Sequence, residues 1–124
     1  NITLSKLLNR KITMLHSYKK YVKYRIKTPL PSYRQFPCVT PNFDNASRRM
    51  HKGFTAFIGS TPQLYGKWLS SVFEKFKPYS QEENFIFINA WNEWAEGNHL
   101  EPDQKWGRKY LEETKKNIDQ YKKR

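Results

Sequence analysis

The chain has 124 residues, 37% hydrophobic and 16% aromatic, and a formal charge of +12 from 23 Lys and Arg against 11 Asp and Glu. That length is enough for one ordinary domain and too short for a complete eight-stranded β/α barrel of about 250 residues, and with Asn rather than Met at position 1 the sequence reads as a piece of a longer protein. The aromatic content excludes a disordered solvating tail; the lone Cys38 excludes an internal disulfide and a Cys-rich zinc site; and the longest apolar run, Phe85 to Trp91 broken by Asn89, is too short to span a bilayer.

Leu4, Leu7, Leu8, Ile12, Leu15, Val22 and Ile26 recur at helical spacings with Lys and Arg between them, which predicts an amphipathic helix over 4–26 within a basic segment 1–27. Thr28, Pro29, Leu30 and Pro31 end it. Residues 34–40 read as a short extended segment, with Cys38 as a small core residue, and Pro41 to Arg49 as a loop. Phe54 to Ile58 fits either a strand or an ordered loop. Ser60 or Thr61 as N-cap, Pro62 at the first helical position and a broad apolar face from Leu64 to Phe76 predict a helix over 62–76. Phe85 to Ile88, apolar on both faces, reads as a fully buried parallel strand. Trp106, Tyr110, Leu111, Thr114, Ile118 and Tyr121 are spaced for a final helix over 105–122, capped by Asp103. The alternation of strand, loop and helix over 34–115 is a β/α pattern, whose parallel strands open their C-terminal loops on one face. The loops 41–49 and 91–101 therefore belong on the same side of the sheet.

Charge is unevenly spread. Residues 1–52 carry +11, residues 53–101 carry −3 and residues 102–124 carry +4. Basic flanks attract nucleic acid, an anionic membrane surface or a phosphorylated substrate, or simply solvate the surface. The chemistry-bearing residues lie in the acidic middle, in the run from Asn89 to Asp103, where Trp91, Trp94 and Trp106 lie in or beside a segment holding Glu93, Glu96 and Glu101. Glu93 and Glu96 converge only if the chain curls after Trp91. Two carboxylates that close do not ionise independently, so one serves as acid and the other as base or nucleophile, the division that glycoside chemistry uses. Trp91 and Trp94 offer flat surfaces to sugar rings and Asn92 an amide to a hydroxyl. The alternative is a surface turn whose glutamates face water and whose tryptophans belong to the core.

The segment FIFINAWNEWAEGNHLEPD, Phe85 to Asp103, resembles the hallmark stretch of the WbsX-type glycosyltransferase-like family, associated with bacterial lipopolysaccharide and O-antigen biosynthesis and related to glycoside hydrolase family 99. FPCVTPNFDNASRR, Phe36 to Arg49, is similar to the family's strand and loop, STPQLYGKWL, Ser60 to Leu69, to its next helix, and KWGRKYLEETK, Lys105 to Lys115, to its last, so that nearly all of residues 17–115 is covered. The resemblance implies an α/β fold, with this chain (1–124, a single partial domain) the C-terminal portion of a TIM-type (β/α) barrel. It also implies that Glu93 is a base assisting attack by the sugar's own 2-hydroxyl and Glu96 the acid protonating the leaving oxygen. Transfer and hydrolysis both stay open, and it is family analogy that carries this chemistry.

The companion residues Asp44, Asn45 and Arg48 are candidates for sugar hydroxyls or, with Arg49, for a phosphate; the alternative is a turn held by Asx hydrogen bonds. His99 is a candidate hydroxyl ligand or a structural histidine, and Glu101 a candidate substrate contact. No metal or cofactor is implied. The expected partner is a carbohydrate, a nucleotide sugar or lipid-linked saccharide among the candidates, with no specific nucleic acid; the expected location is cytoplasmic, with peripheral contact at the inner membrane face left open. Two rival readings are a non-catalytic truncated remnant of such an enzyme and a basic nucleic-acid-binding module; the second lacks any recognised motif, and its aromatics sit away from the lysines.

Overall fold

The computed structural model describes residues 13–49 and 53–123. The first part of the helix predicted over 4–26, residues 1–12, lies outside the described residues. Within them the prediction is corrected: Met14–Ser17 form a strand, β1, and the helix α1 spans only Tyr18–Lys27. Ser17 marks the change, its hydroxyl accepting from Lys20 N at 3.3 Å as an N-cap. The apolar residues on either side of Ser17 belong to two elements, and β1 is fixed by pairing with a distant strand rather than by local helical preference. That partner is β3, Thr55–Ile58, parallel and in register from Met14 with Thr55 to Ser17 with Ile58.

The second pair is parallel too. Cys38–Val39 form β2 and Phe87–Ile88 form β4, joined Cys38 with Phe87 and Val39 with Ile88. β2 is shorter than the segment 34–40 suggests, because Pro37 has no N–H to extend the ladder. Between the pairs, Ala46–Arg49 make a single helical turn, α2, and the preceding segment runs antiparallel beside β3, with Phe57 N donating to Phe43 O at 2.8 Å. The result is a mixed α/β unit of parallel strand pairs and helices.

Helix α3, Pro62–Lys75, starts as predicted, with Thr61 Oγ1 accepting from Leu64 N at 3.2 Å. The final helix α4, Lys109–Lys122, begins later than predicted. Asp103 does not cap it: Asp103 Oδ1 accepts from Trp106 N at 2.5 Å and closes the turn from Asp103 to Gly107 that precedes the helix. α1 and α4 both pack on α3. Lys75, at the end of α3, donates from Nζ to the carbonyls of Arg25, Ile26 and Thr28 and so caps the C-terminus of α1 with a cation.

The core joins Tyr18, Val22, Val39, Tyr65, Trp68, Leu69, Val72, Leu100 and Tyr110. Its tyrosine hydroxyls are satisfied: Tyr18 donates to Thr40 O at 2.6 Å, Tyr65 meets Thr114 Oγ1 at 2.9 Å and Tyr110 meets Ser60 Oγ at 2.8 Å. The expected burial of the strand at 85–88 is corrected on one face. Ile86 and Ile88 pack against the core, whereas Phe85 is 50% and Phe87 53% exposed and Phe36 meets both edge-on. Successive strand residues point to opposite faces, and the helices of this chain cover only one of them. Cys38, expected in the core, is exposed on the neighbouring strand for the same reason.

Burial pushes the Tyr65 phenol up to about 12 and raises those of Tyr18 and Tyr110 above their ordinary value of 10.0. Because the folded state holds these protons more tightly than the unfolded chain, the stability they contribute is fully present below pH 10 and is lost as the pH rises from there toward 12. Thermal unfolding followed by circular dichroism should show a falling midpoint above about pH 10, and Tyr65→Phe should shrink that fall. A midpoint flat through this range would contradict the burial of these hydroxyls.

Candidate functional site

The site is built where the chain leaves β4. The Asn89–Ala90 peptide is cis, and beyond it Asn92–Glu93 (β5) turn back on Asn98–His99 (β6) as an antiparallel pair, Asn92 opposite His99 and Glu93 opposite Asn98. Asn98 is fully buried, and its Oδ1 accepts from Thr40 Oγ1 and from Ala90 N, both at 3.0 Å. One amide thus ties the end of β2 to the end of β4 and to the hairpin. Trp94–Glu96 form a 3₁₀ turn closed by Gly97 at φ +54°. A Cβ there would stand 3.3 Å from Cβ of Asp44 in a left-handed conformation that costs other residues about 1 to 2 kcal/mol, so both space and backbone call for glycine.

With three residues per turn, a 3₁₀ turn stacks residues i and i+3 on one side, which is the curl that Glu93 and Glu96 require. Both carboxylates meet a single nitrogen. Arg48 Nη1 lies 2.8 Å from Glu96 Oε1 and 3.7 Å from Glu93 Oε1, which places the two acceptor oxygens no farther apart than about 6.5 Å, the sum of the two distances. Arg48 arrives from the loop that follows β2, and that loop is docked on the glutamate turn by Asp44 N donating to Glu96 O at 2.6 Å and Ser47 Oγ donating to Ala95 O at 2.7 Å. The two loops expected on one side of the sheet are in contact. The Arg48 side chain is 52% exposed, so this ion pair adds little to stability. Its consequence is positional: one guanidinium faces two carboxyl groups.

The other sequence-predicted residues fall into two groups. Trp91 and Trp94 are 55% and 49% exposed, and Asn92 is exposed beside them. Trp94 stacks on His99, with ring centroids 3.7 Å apart and planes 14° from parallel, and its indole N–H donates to Glu101 Oε2 at 2.6 Å. Asp44 and Asn45 are engaged in the loop itself: Asp44 Oδ1 accepts from Ala46 N and Asn45 Oδ1 from Thr55 N, each at 2.9 Å. Sequence reasoning missed Asn98, Thr40 and Ser47, which fix the site through one or two hydrogen bonds each and carry no periodic signal. A larger cavity of about 600 Å³, between α1 and β2, is lined by Tyr21, Arg25, Cys38 and Trp68 and does not include the glutamates. Among the described residues no three His, Cys, Asp or Glu side chains are grouped to hold a metal ion, and no helix is long and apolar enough to cross a membrane.

Glu93 at the head of the 3₁₀ turn and Glu96 within it thus stand beside exposed tryptophans in the segment that follows β4. The chain belongs to the family described as Glycosyltransferase WbsX, whose family model matches residues 2–114. It is similar to a protein described as uncharacterized protein WxcX from each of two strains of Xanthomonas campestris pv. campestris, in both cases 40% identical over 88 residues, 70% of this chain and 12% of the relative. The chain therefore spans about an eighth of the length of these relatives. No solved structure matches it.

Removing the Asn98 amide leaves Ala90 N without its buried partner, while the Thr40 hydroxyl keeps its 2.7 Å bond to the Asn42 carbonyl. Asn98→Ala should cost about 1 to 3 kcal/mol, read as a lowered urea midpoint. An unchanged midpoint would show that the hairpin is held by other contacts.

Proposed function

We propose that this chain supplies the acid/base pair of a carbohydrate-active enzyme that acts on glycosidic bonds in bacterial cell-surface polysaccharide assembly, with Glu93 as base and Glu96 as acid. The observation that carries the reading is the shared approach of both carboxylates to Arg48. In this reading the chemistry is that of the family 99 hydrolases: Glu93 assists attack by the 2-hydroxyl on the anomeric carbon, and Glu96 protonates the departing oxygen. A guanidinium donating at 2.8 Å suits a carboxylate acceptor, so Glu96 must turn from Arg48 to hand over a proton, and substrate entry is the event that separates them. Arg48 then holds the two side chains at working distance in the resting site.

The whole enzyme is, in this proposal, a TIM-type barrel to which the chain contributes C-terminal strands and helices. The two parallel pairs and the exposed outer faces of Phe85 and Phe87 support it, as does the small share of the WxcX relatives that the chain covers. The same exposed face favours a second reading, in which residues 1–124 alone are a non-catalytic remnant. Activity is therefore to be measured in the full-length enzyme.

There, Glu96→Gln should lower the rate on natural glycosides by about 10² to 10⁴ while sparing substrates with a nitrophenol leaving group, and Glu93→Gln should impair both. Equal losses on both substrates in Glu96→Gln would reverse or sink the assignment. Arg48→Met should slow turnover on both substrates and shift stability by less than about 1 kcal/mol, because the pair it breaks is exposed. Turnover unchanged in that variant would remove Arg48 from the site.

A further inference from the structure

Trp94 opens the 3₁₀ turn that carries the glutamates, with Glu93 immediately before it and Glu96 at its end. Its ring is half exposed, and an exposed side chain hops between rotamers unless something holds it. Glu101 holds this one from three points. Its Oε2 accepts the Trp94 indole N–H at 2.6 Å. Its carbonyl oxygen only accepts, so His99 Nδ1, 3.1 Å away, donates to it, as that nitrogen does in the Nδ1–H tautomer and in the imidazolium alike. Its own N–H donates to Trp91 O at 3.1 Å, at the residue just before β5. One residue thus orients both rings of the Trp94–His99 stack and ties them to the start of the hairpin.

The stack joins the two halves of the site. Trp94 belongs to the turn, and His99 to β6, whose partner strand β5 ends at Glu93. A ring fixed against β6 fixes the head of the turn against the hairpin, and Trp94 O in its turn accepts from Gly97 N at 3.0 Å, just behind Glu96. Without Glu101 the segment between the two glutamates loses this anchor on β6. We propose that Glu101 is a positioning residue: it acts on the reaction through Trp94, holding the turn so that Glu93 and Glu96 keep their common approach to Arg48, and it does not touch the substrate. The inference rests on the preceding section for the glutamates being acid and base; the clamp itself does not.

The test is a double-mutant cycle in the full-length enzyme. Displacing a catalytic group by about an ångström costs on the order of 10² in rate, so Glu101→Ala should lower kcat by about ten- to a hundredfold and leave KM within about threefold of the parent. Glu101→Gln, which keeps an acceptor for the indole, should recover most of that loss. Trp94→Phe, which keeps a ring against His99 and has no N–H, should reproduce it, and adding Glu101→Ala to Trp94→Phe should cost nothing further. With fluorotryptophan incorporated, the fluorine resonance that Trp94→Phe removes should move in Glu101→Ala and hold its place in Glu101→Gln. Should Glu101→Ala not fold, Glu101→Gln beside Trp94→Phe makes the same comparison, near-parent turnover in the first against the full loss in the second. A raised KM with kcat spared would make Glu101 a substrate contact, and additive losses in the double variant would make it act apart from Trp94. A Trp94 resonance indifferent to Glu101→Ala, or a Glu101→Gln enzyme as slow as Trp94→Phe, would show that no such clamp operates. Each of these overturns the proposal. Glutamate variants that retain full turnover would instead defeat the acid/base assignment, while the Trp94 resonance still reports the clamp.

Discussion

The buried Asn98 amide is the constraint on which the arrangement of the site depends. Its one carbonyl oxygen takes hydrogen bonds from a hydroxyl at the end of β2 and from a backbone N–H at the end of β4. The strands themselves are only two residues long and contribute few ladder bonds, so the relative placement of their C-terminal loops is left to contacts such as this one. An oxygen so deeply buried is costly unless paired, and the two bonds to Oδ1 draw the hairpin, the β2 loop and the exit of β4 together, while Nδ2 of the same amide is buried without a partner.

From that fixed point the rest of the site follows by short steps. The β5–β6 pairing sets where the chain must reverse, the 3₁₀ turn reverses it with Gly97 in a left-handed conformation, and the reversal leaves Glu93 and Glu96 on one side. The companion loop then locks on through Asp44 and Ser47 and carries Arg48 to both carboxylates. The docked loop pair presents these charged groups while Trp91 and Trp94 stay exposed beside them.

The helices were legible because their signals are local. Thr61 and Pro62 set the start of α3, and apolar periodicity carries both α3 and α4. Where tertiary partners decide, the sequence misled: β1 was hidden inside an apparent helix because its pairing partner lies some forty residues away, and only Ser17, a good N-cap, hints at the boundary. The strand predicted at 85–88 was recognisable as parallel, although only Phe87–Ile88 form it, and an apolar pattern on both faces announces what a strand is suited to rather than what covers it in this chain. In the site, the motif singled out the two glutamates and the curl between them. The part played by Arg48 was not legible, since a loop arginine reads equally well as a ligand for phosphate, and neither was that of Asn98, since an isolated asparagine carries no pattern.

Lys75 gives the helical layer a property that neither helix has alone. Its ammonium closes the last turn of α1 by holding three carbonyls, and it is itself anchored in the last turn of α3. The C-termini of two helices, some fifty residues apart in sequence, are thus fastened at one cation, so neither can fray without releasing the other. In the language of local unfolding, α1 and α3 open as one cooperative unit, and the amide protons of their final turns are protected together even though they belong to separate stretches of chain.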